Sequence, residues 1–529
     1  MNGLETLWQQ FHFNSNMKNY LFIIFSLVLM SFIQDFNPQP KAITAKYFPE
    51  VEIEINTPAF KKEKGFTNHE ELIQFLNALK SKHSDLVTIQ YIGESQKGKA
   101  IPMVTLNKKS NENKLKVWFQ AGLHGDEMAS TEGILYLLDR MLNDSNYTYL
   151  LNRIELTIIP MANIDGYEKQ NRYAANGLDL NRDQTKLLVK ESVILKQAFS
   201  NYNPDVGVDF HEYRPFRKEY SQLSTLGVAS RYDVMFMSSG NLNVPEKLRK
   251  FTNEKFVRNA ELELEKVGIT QREYITSEKD LGDIHFNQGS LSARSSATSY
   301  ALANTVSSLI EIRGVGLGRT SFKRRIYSTF LVGISYLKTA YENVNEVKNV
   351  LKFDPNENQL AYIKCKKEIS VQPLKFIDVE TTNEINIEVE IRNASKSTPV
   401  LTRARPIAYL IDPNQNIIIE KLKILGISLE NLANNRNIEV EYYSIKEVSE
   451  DEEMEEGVYQ QKIKADVQTK TMNFEKGTFI VYLSQENANL AIEVLEPDAP
   501  NSFVNFGVLP ANKDAILPIY RYLKNEKLY

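Results

Sequence analysis

"LKVWFQAGLHGDEMASTEGILYLLDRML" (115–142) sets a buried-looking β run, LKVWFQAG, directly against an amphipathic helical pattern, STEGILYLLDRML. Between them stand His124 and Glu127, three residues apart where a strand gives way to a helix. An imidazole and a carboxylate at that junction are either a chance spacing or two arms of a metal site. HxxE alone does not decide between them, because a lone occurrence is more often surface chemistry. The strand-to-helix change does point to a fold class, since more runs of the same kind follow. IELTIIPMAN (154–163), PDVGVDFHE (204–212) and TVSSLIEIRG (305–314) each read as a buried strand.

From Phe48 to about Lys352 such runs alternate with helical periodicity. The alternation predicts an α/β domain, a mixed twisted sheet flanked by helices, closed by STFLVGISYLKTAYENVNEVKNVL (328–351). Beyond it the texture changes. EINIEVEIRN (384–393) and GTFIVYLS (477–484) alternate with period two, as half-buried strands do, and NIIIEKLKILGISLENL (416–432) reads as a helix running into a turn. The acid run SEDEEMEE (449–456) reads as a solvated loop, and EVLEPDAPNSFVNFGVLP (493–510) as a loop that could lie beside the active face. The expected organisation is a leader over 1–45, a catalytic domain over 46–352 and a strand-rich α+β C-terminal domain over 353–529, with no internal repeat.

A chain of 529 residues is too long for one core, which agrees with two domains plus extras. With 63 basic and 67 acidic residues, net charge −4, nothing calls for nucleic acid as a partner. The single Cys365 excludes a disulfide framework and any Cys-ligated metal cluster. MKNYLFIIFSLVLMSFIQ (17–34) begins with a basic residue and runs apolar from Tyr20 to Ile33. That is the length of a signal-peptide core and shorter than a membrane span. The expectation is export, to the periplasm or outside, or retention as an N-terminal anchor if the poor small-residue site AITA (42–45) is not cleaved. Membrane contact is expected only in the anchored case.

Outward from the opening stretch, ionisable groups recur at strand ends: His124 and Glu127 after one strand, His211 ending another, Glu311 near the end of a third. Open α/β sheets place their ligands at that edge. Two imidazoles and a carboxylate form the N/O donor set of a catalytic zinc, which leaves a position for water. Between the ligands in sequence, NRYAANGLDLNRD (171–183) offers Arg172, Asn181 and Arg182 around a Gly-containing turn. Guanidinium groups take carboxylates bidentately, so this segment is either a solvated loop or an anion pocket beside a Lewis acid.

Taken in order, these motifs resemble the zinc metallocarboxypeptidases of the carboxypeptidase A type, with HxxE, an Arg followed by NGxDLNR, a strand-end His, and a Glu in E-[TIL]-R. Here they stand as HGDE, RYAANGLDLNR, DFH and IEIRG, and YIGESQKGKAIPMVTL (91–106) matches the family's opening strands. The resemblance implies Zn2+ held by His124, Glu127 and His211. It implies Arg182 with Asn181 on the terminal carboxylate of a peptide, Arg172 polarising the scissile carbonyl, and Glu311 as the general base. The implied activity is hydrolysis of the C-terminal bond of peptides or proteins with a free C-terminus, cell-wall peptides among the candidates. Two alternatives stay open: a zinc N-acyl amino acid deacylase or amidase on the same scaffold, and a non-catalytic surface-binding relative. The chain also departs from the pattern. Glu212 follows His211 where Ser is usual, and DIHFNQGSLSARSSATS (283–299) contains no Tyr to close over substrate. Tyr300 matches a structural Tyr, and His285 and Arg294 in the same loop could reach substrate.

Overall fold

In the computed structural model, which describes residues 39–280, 282–354 and 359–528, Leu115–Ala121 is a strand buried at every position but Lys116. The expected leader run, residues 17–34, lies outside the described residues. The N-terminal half lays down β1 (Val87–Glu94), β2 (Ala100–Leu106), β3 (Leu115–Ala121), β4 (Ile154–Ile159) and β5 (Val206–Tyr213). Next come β6 (Val228–Ser230), β7 (Val234–Met237), β8 (Gln271–Glu273), β9 (Ile275–Asp280), β10 (Asp283–Gln288) and β11 (Val306–Arg313). The C-terminal part adds β12 (Leu360–Asp378), β13 (Glu384–Ala404), β14 (Ala408–Ile411), β15 (Glu430–Asn431), β16 (Arg436–Glu455), β17 (Val458–Phe474), β18 (Phe479–Tyr482) and β19 (Ile516–Tyr522).

The central sheet has the order β1-β2-β4-β3-β5-β11-β7-β8. Its middle, β4-β3-β5-β11, is parallel, while β1 and β2 run antiparallel to their neighbours and β7 runs antiparallel to β11 with β8 parallel to it, so the sheet is mixed as expected. Strands buried on both faces read as near-continuous apolar runs, which is why VWFQA, LTIIP and VGVDF lack clean alternation. The helix Met128–Asn143 packs on Phe322–Glu342 with small residues at the crossing: a Cβ on Gly133 would meet Thr329 Cγ2 at 2.5 Å, and one on Gly333 would meet Leu137 Cδ1 at 2.4 Å. The closing helical stretch breaks at Asn343 and resumes over Val344–Val350.

The sheets do not divide at 352/353. A second sheet, β6-β12-β13-β10-β9, joins strands from both sides of that point, with β10 parallel to β13. A third, β15-β18-β14-β19-β16-β17, is built from residues 408–522 alone. One contiguous apolar core nevertheless reaches from Ile55 through Ile310 to Ile519, so the C-terminal part is packed onto the central sheet. The segment 493–510 is mostly buried in that contact, and Phe506 lies under both Lys186 and Arg294.

The acid run 449–456 is not a loop. Its first seven residues finish β16 and pair with β17, as in Glu450↔Gln461, Met454↔Tyr459 and Glu455↔Val458. The turn between the strands is Glu456-Gly457, with φ of 49° and 80°. Two consecutive positive φ values are those of the two-residue turn whose twist matches an antiparallel hairpin. The acids misled because a projecting arm leaves most side chains in water, as a loop would; pairing satisfies its backbone and water its charges.

Candidate metal centre and active site

β3, β5 and β11 all end at one edge of the central sheet, and their last side chains meet there. His124 and Glu127 leave the end of β3, with Glu127 immediately before the helix Met128–Asn143. His211 sits in β5, and parallel register puts Glu311 of β11 beside it. The Gly125 between the ligands is a matter of space: a Cβ there would meet the backbone of Gly166 at 2.1 Å and Asn171 at 2.3 Å.

Donor atoms of His124, Glu127 and His211 lie within 4.8 Å of one another, and all three residues are buried. Glu127 Oε1 is 2.6 Å from His124 Nδ1, and Oε2 is 2.9 Å from His211 Nδ1. The far nitrogen of each ring faces a carboxylate: His124 Nε2 is 3.0 Å from Asp179 Oδ1, and His211 Nε2 is 2.8 Å from Asp209 Oδ2. Ionised carboxylates only accept, so each Nε2 carries the hydrogen in the neutral ring. Both Nδ1 lone pairs then point inward, 3.0 Å apart. Two such lone pairs at that distance repel unless a cation or proton stands between them. Two imidazoles oriented by carboxylates behind them, plus a Glu, are the donor chemistry of zinc. The residues fit the ion.

The charges agree. Burial disfavours an ionised Glu127, but His124 and His211 outweigh it and hold the carboxyl well below its usual range. Burial likewise opposes charge on His211, and Asp209 with Glu127 overcome it and raise its pKa. Glu311 has an oxygen buried without a hydrogen-bond partner. Burial, then the neighbouring Glu127 charge, pushes its pKa up to about 7. A dication on the adjacent ligands would draw it back toward the carboxylate form.

Glu311 opens into a cavity of about 750 Å³ lined also by Asp126, Arg172, Asp179, Arg182 and Tyr274, among others. Arg172 is braced by Asp179 Oδ2, from Nε at 3.0 Å and Nη2 at 2.8 Å, and its Nη1 reaches 3.2 Å from His124 Nδ1. Burial works against its charge, but Asp179 and Glu127 reinforce the guanidinium further. Arg182 lines the cavity with Nη1 donating to the Asn181 carbonyl at 2.9 Å. Asn181 is buried, and its side-chain oxygen accepts from Ser296 N–H at 2.8 Å, pinning the loop before Glu311. His285 and Arg294 do not line the cavity: His285 is buried in β10, and Arg294 pairs with Glu455. Tyr300 is buried, stacked on Phe199 at 3.9 Å between centroids. Glu212 is also structural, since it accepts from Ala129 N–H at 2.8 Å and pairs with buried Arg325 at 2.6 Å.

Sequence reasoning passed over three of these groups. Asp209 shares a strand face with His211, two residues on, so its part was legible in period-two terms. Asp179 lies inside NGLDLNR and does double duty for His124 and Arg172. Tyr274, brought to the cavity beside Glu311 and Arg182, precedes the stretch in which a Tyr was sought, and nothing local marks it.

A sequence model described as zinc carboxypeptidase matches residues 72–225. Carboxypeptidase 2 of Trichophyton rubrum is 28% identical over 505 residues, covering 91% of this chain and 93% of that protein. Carboxypeptidase 2 of Trichophyton equinum is 27% identical over the same length and coverage. Among solved structures, carboxypeptidase A from Helicoverpa armigera matches 62% of this chain and 87% of its own, with TM-score 0.42 and 16% identity. Over residues 72–225 the chain is thus similar to zinc carboxypeptidases, and over nearly its whole length to the two Trichophyton carboxypeptidases. It is a peptidase-type hydrolase whose cofactor is Zn2+.

Proposed function

We propose that the protein removes residues one at a time from the free C-terminus of peptides or proteins. The observation that carries this reading is the His124–Glu127–His211 cluster standing beside Glu311, which has an unpartnered oxygen and lines one cavity with Arg172 and Arg182. Zinc held by the three ligands would supply Lewis-acid activation of water and of the scissile carbonyl. Glu311 takes a proton from the attacking water and returns it to the leaving amine, a role suited to a half-buried carboxylate with a free oxygen. Arg172, held flat by Asp179, stabilises negative charge that develops only in the tetrahedral state. Arg182 receives the substrate's terminal carboxylate, and Asn181 sets the backbone that aims it. Fungal proteins called carboxypeptidase 2, similar over nearly their whole length, support the same reading. The basic-then-apolar run from Lys18 to Ile33 supports export, and among the described residues no helix is long and apolar enough to cross a membrane.

The test is kcat/KM on paired peptides ending in an acid or an amide. A charge-assisted contact to Arg182 is worth about 1.5 to 3 kcal/mol, and an amide also leaves the guanidinium unpaired, so the amide should be slower by roughly 10² or more. Arg182→Ala should erase most of that difference. Equal rates on both substrates with the unmutated protein would favour an amidase or endopeptidase on the same scaffold.

A further inference from the structure

The turn of the β16–β17 hairpin, far along the chain from the zinc ligands, lands on the NGLDLNR segment. The Glu456 carbonyl accepts from Lys186 Nζ at 2.9 Å. Arg294 donates to Glu455 Oε1 at 3.3 and 3.4 Å. Gly457, at φ +80°, approaches Leu178 so closely that a Cβ would meet Leu178 Cδ2 at 2.9 Å. Lys186 and Arg294 in turn both rest on Phe506, each 5.2 Å from its ring centre. The tip is therefore held from both halves of the molecule.

That docking uses the Glu455 carboxylate and leaves the Glu456 carboxylate almost free. Among the described residues its one hydrogen bond is from the Asp179 N–H at 3.4 Å, the long end of the range; Lys186 and Arg294 lie within electrostatic reach, and the carboxylate lines the catalytic cavity. A second carboxylate on the same wall, Asp126, has a buried Oδ1 without a partner. Of the cations beside them, Arg172 is already bound by Asp179, Arg182 is the group assigned to the substrate carboxylate, Lys186 donates to the Glu456 carbonyl and Arg294 pairs with Glu455. None of these cations forms an ion pair with the Glu456 carboxylate itself, which faces the cavity. Behind the tip, Glu450, Glu452 and Glu453 stand in solvent and do not line the cavity. Arg214, Lys218 and Lys375 line the same cavity, yet the hairpin brings no positive charge of its own to the tip.

We propose that the hairpin tip is a specificity element: Glu456, fixed at the cavity rim, selects peptides with a basic side chain on one of the two residues flanking the scissile bond. This rests on the carboxypeptidase reading of the site. A C-terminal segment thereby contributes directly to substrate choice.

The test is kcat/KM for matched peptides that differ at the last two positions, carrying Lys, Leu or Glu. The zinc-loaded protein should favour Lys over Glu, with a ratio that shrinks as ionic strength rises from about 0.02 to 0.5 M and the field is screened. Glu456→Gln should lower the Lys-to-Glu ratio by roughly 5- to 20-fold, the scale of one partly solvated unit charge. Glu456→Lys should invert the preference. Glu453→Gln, exposed on the same arm and off the cavity, should leave the ratio in place. An unchanged ratio in Glu456→Gln overturns the proposal. Binding of the same peptides to zinc-loaded Glu311→Gln, with and without Glu456→Gln, reads the ratio as Kd. A failure of turnover, which would count against the carboxypeptidase reading, is thus kept apart from a failure of charge selection.

Discussion

Replacing Asp209 by Asn changes one atom behind the metal ligands and nothing that faces substrate. Asp209 and His211 are both fully buried, and Asp209 Oδ2 stands 2.8 Å from His211 Nε2. Its other oxygen has no partner, so the contact to His211 is the carboxylate's main role. The charge fixes the tautomer that leaves Nδ1 free for the ion and makes that nitrogen a better donor. An Asn keeps the shape, but its neutral oxygen is a weaker acceptor and its NH2 cannot accept. Loss of such a partner typically weakens metal binding 10- to 100-fold, or about 1.4 to 2.7 kcal/mol. Competition with a zinc chelator should show that loss of affinity, and at saturating zinc kcat should largely return. Asp179→Asn makes the contrast. Asp179 orients His124 and also clamps Arg172 with two donors, so its loss should weaken zinc and lower kcat even when zinc is saturating. If Asp209→Asn binds zinc as tightly as the unmutated protein, the carboxylate does not tune the ligand and the lone-pair argument for the site fails. If both variants lose kcat alike at saturating zinc, the division of labour between the two carboxylates is wrong.

Other substitutions probe separate parts of the structure. Glu311→Gln should keep zinc bound and cut kcat by a factor on the order of 10² or more, and a near-normal kcat would remove Glu311 from the chemistry. Glu212→Ser leaves Arg325 buried without its 2.6 Å partner and should cost about 3 to 5 kcal/mol in denaturant unfolding, with Glu212→Ser/Arg325→Met recovering most of it. Equal stability of the single and double variants would refute the ion-pair account. Lys196 is buried against Phe199 and Tyr300 with Ser299 Oγ at 2.7 Å, and burial lowers its pKa to about 7. The folded state then binds fewer protons than the unfolded one between pH 7 and the unfolded value of about 10.4, so this group makes stability rise with pH across that window. Each tenfold loss of proton affinity on folding costs about 1.4 kcal/mol, so Lys196→Met should stabilise the protein by a few kcal/mol at and below pH 7. The gain should vanish near pH 10.5, above which the amine is neutral in both states. A gain that does not depend on pH would show that Lys196 is not the group responsible.

Much of the central sheet was legible in the chain. Buried strands such as VWFQA and VGVDF announce themselves by composition, and the change of period after Glu127 marks where a strand yields to a helix. The four motifs carried the resemblance to zinc carboxypeptidases and the expectation of zinc by themselves, because residue type and spacing set what a strand end can offer a metal. Other features depended on where distant segments come to rest. Asn181 reads as adding an amide hydrogen bond beside Arg182; what only the fold adds is that its oxygen is held by Ser296 N–H, a contact between residues more than a hundred apart, which leaves the amide nitrogen as its donor. Glu212 looked like a departure near the zinc until Arg325 claimed it. The boundary placed at 352/353 followed a real change of pattern, yet β10 pairs with β13 across it, and hydrogen bonding between strands leaves no trace in either strand's own residues. The acid run is the clearest case. Its charges foretold solvent, which most of them have, but whether it ended in open water or against Leu178 was decided by the length of a paired hairpin and the surface it met. Local spacing determines which chemistry a segment can bring, whereas only packing between distant segments determines which groups remain free to use it.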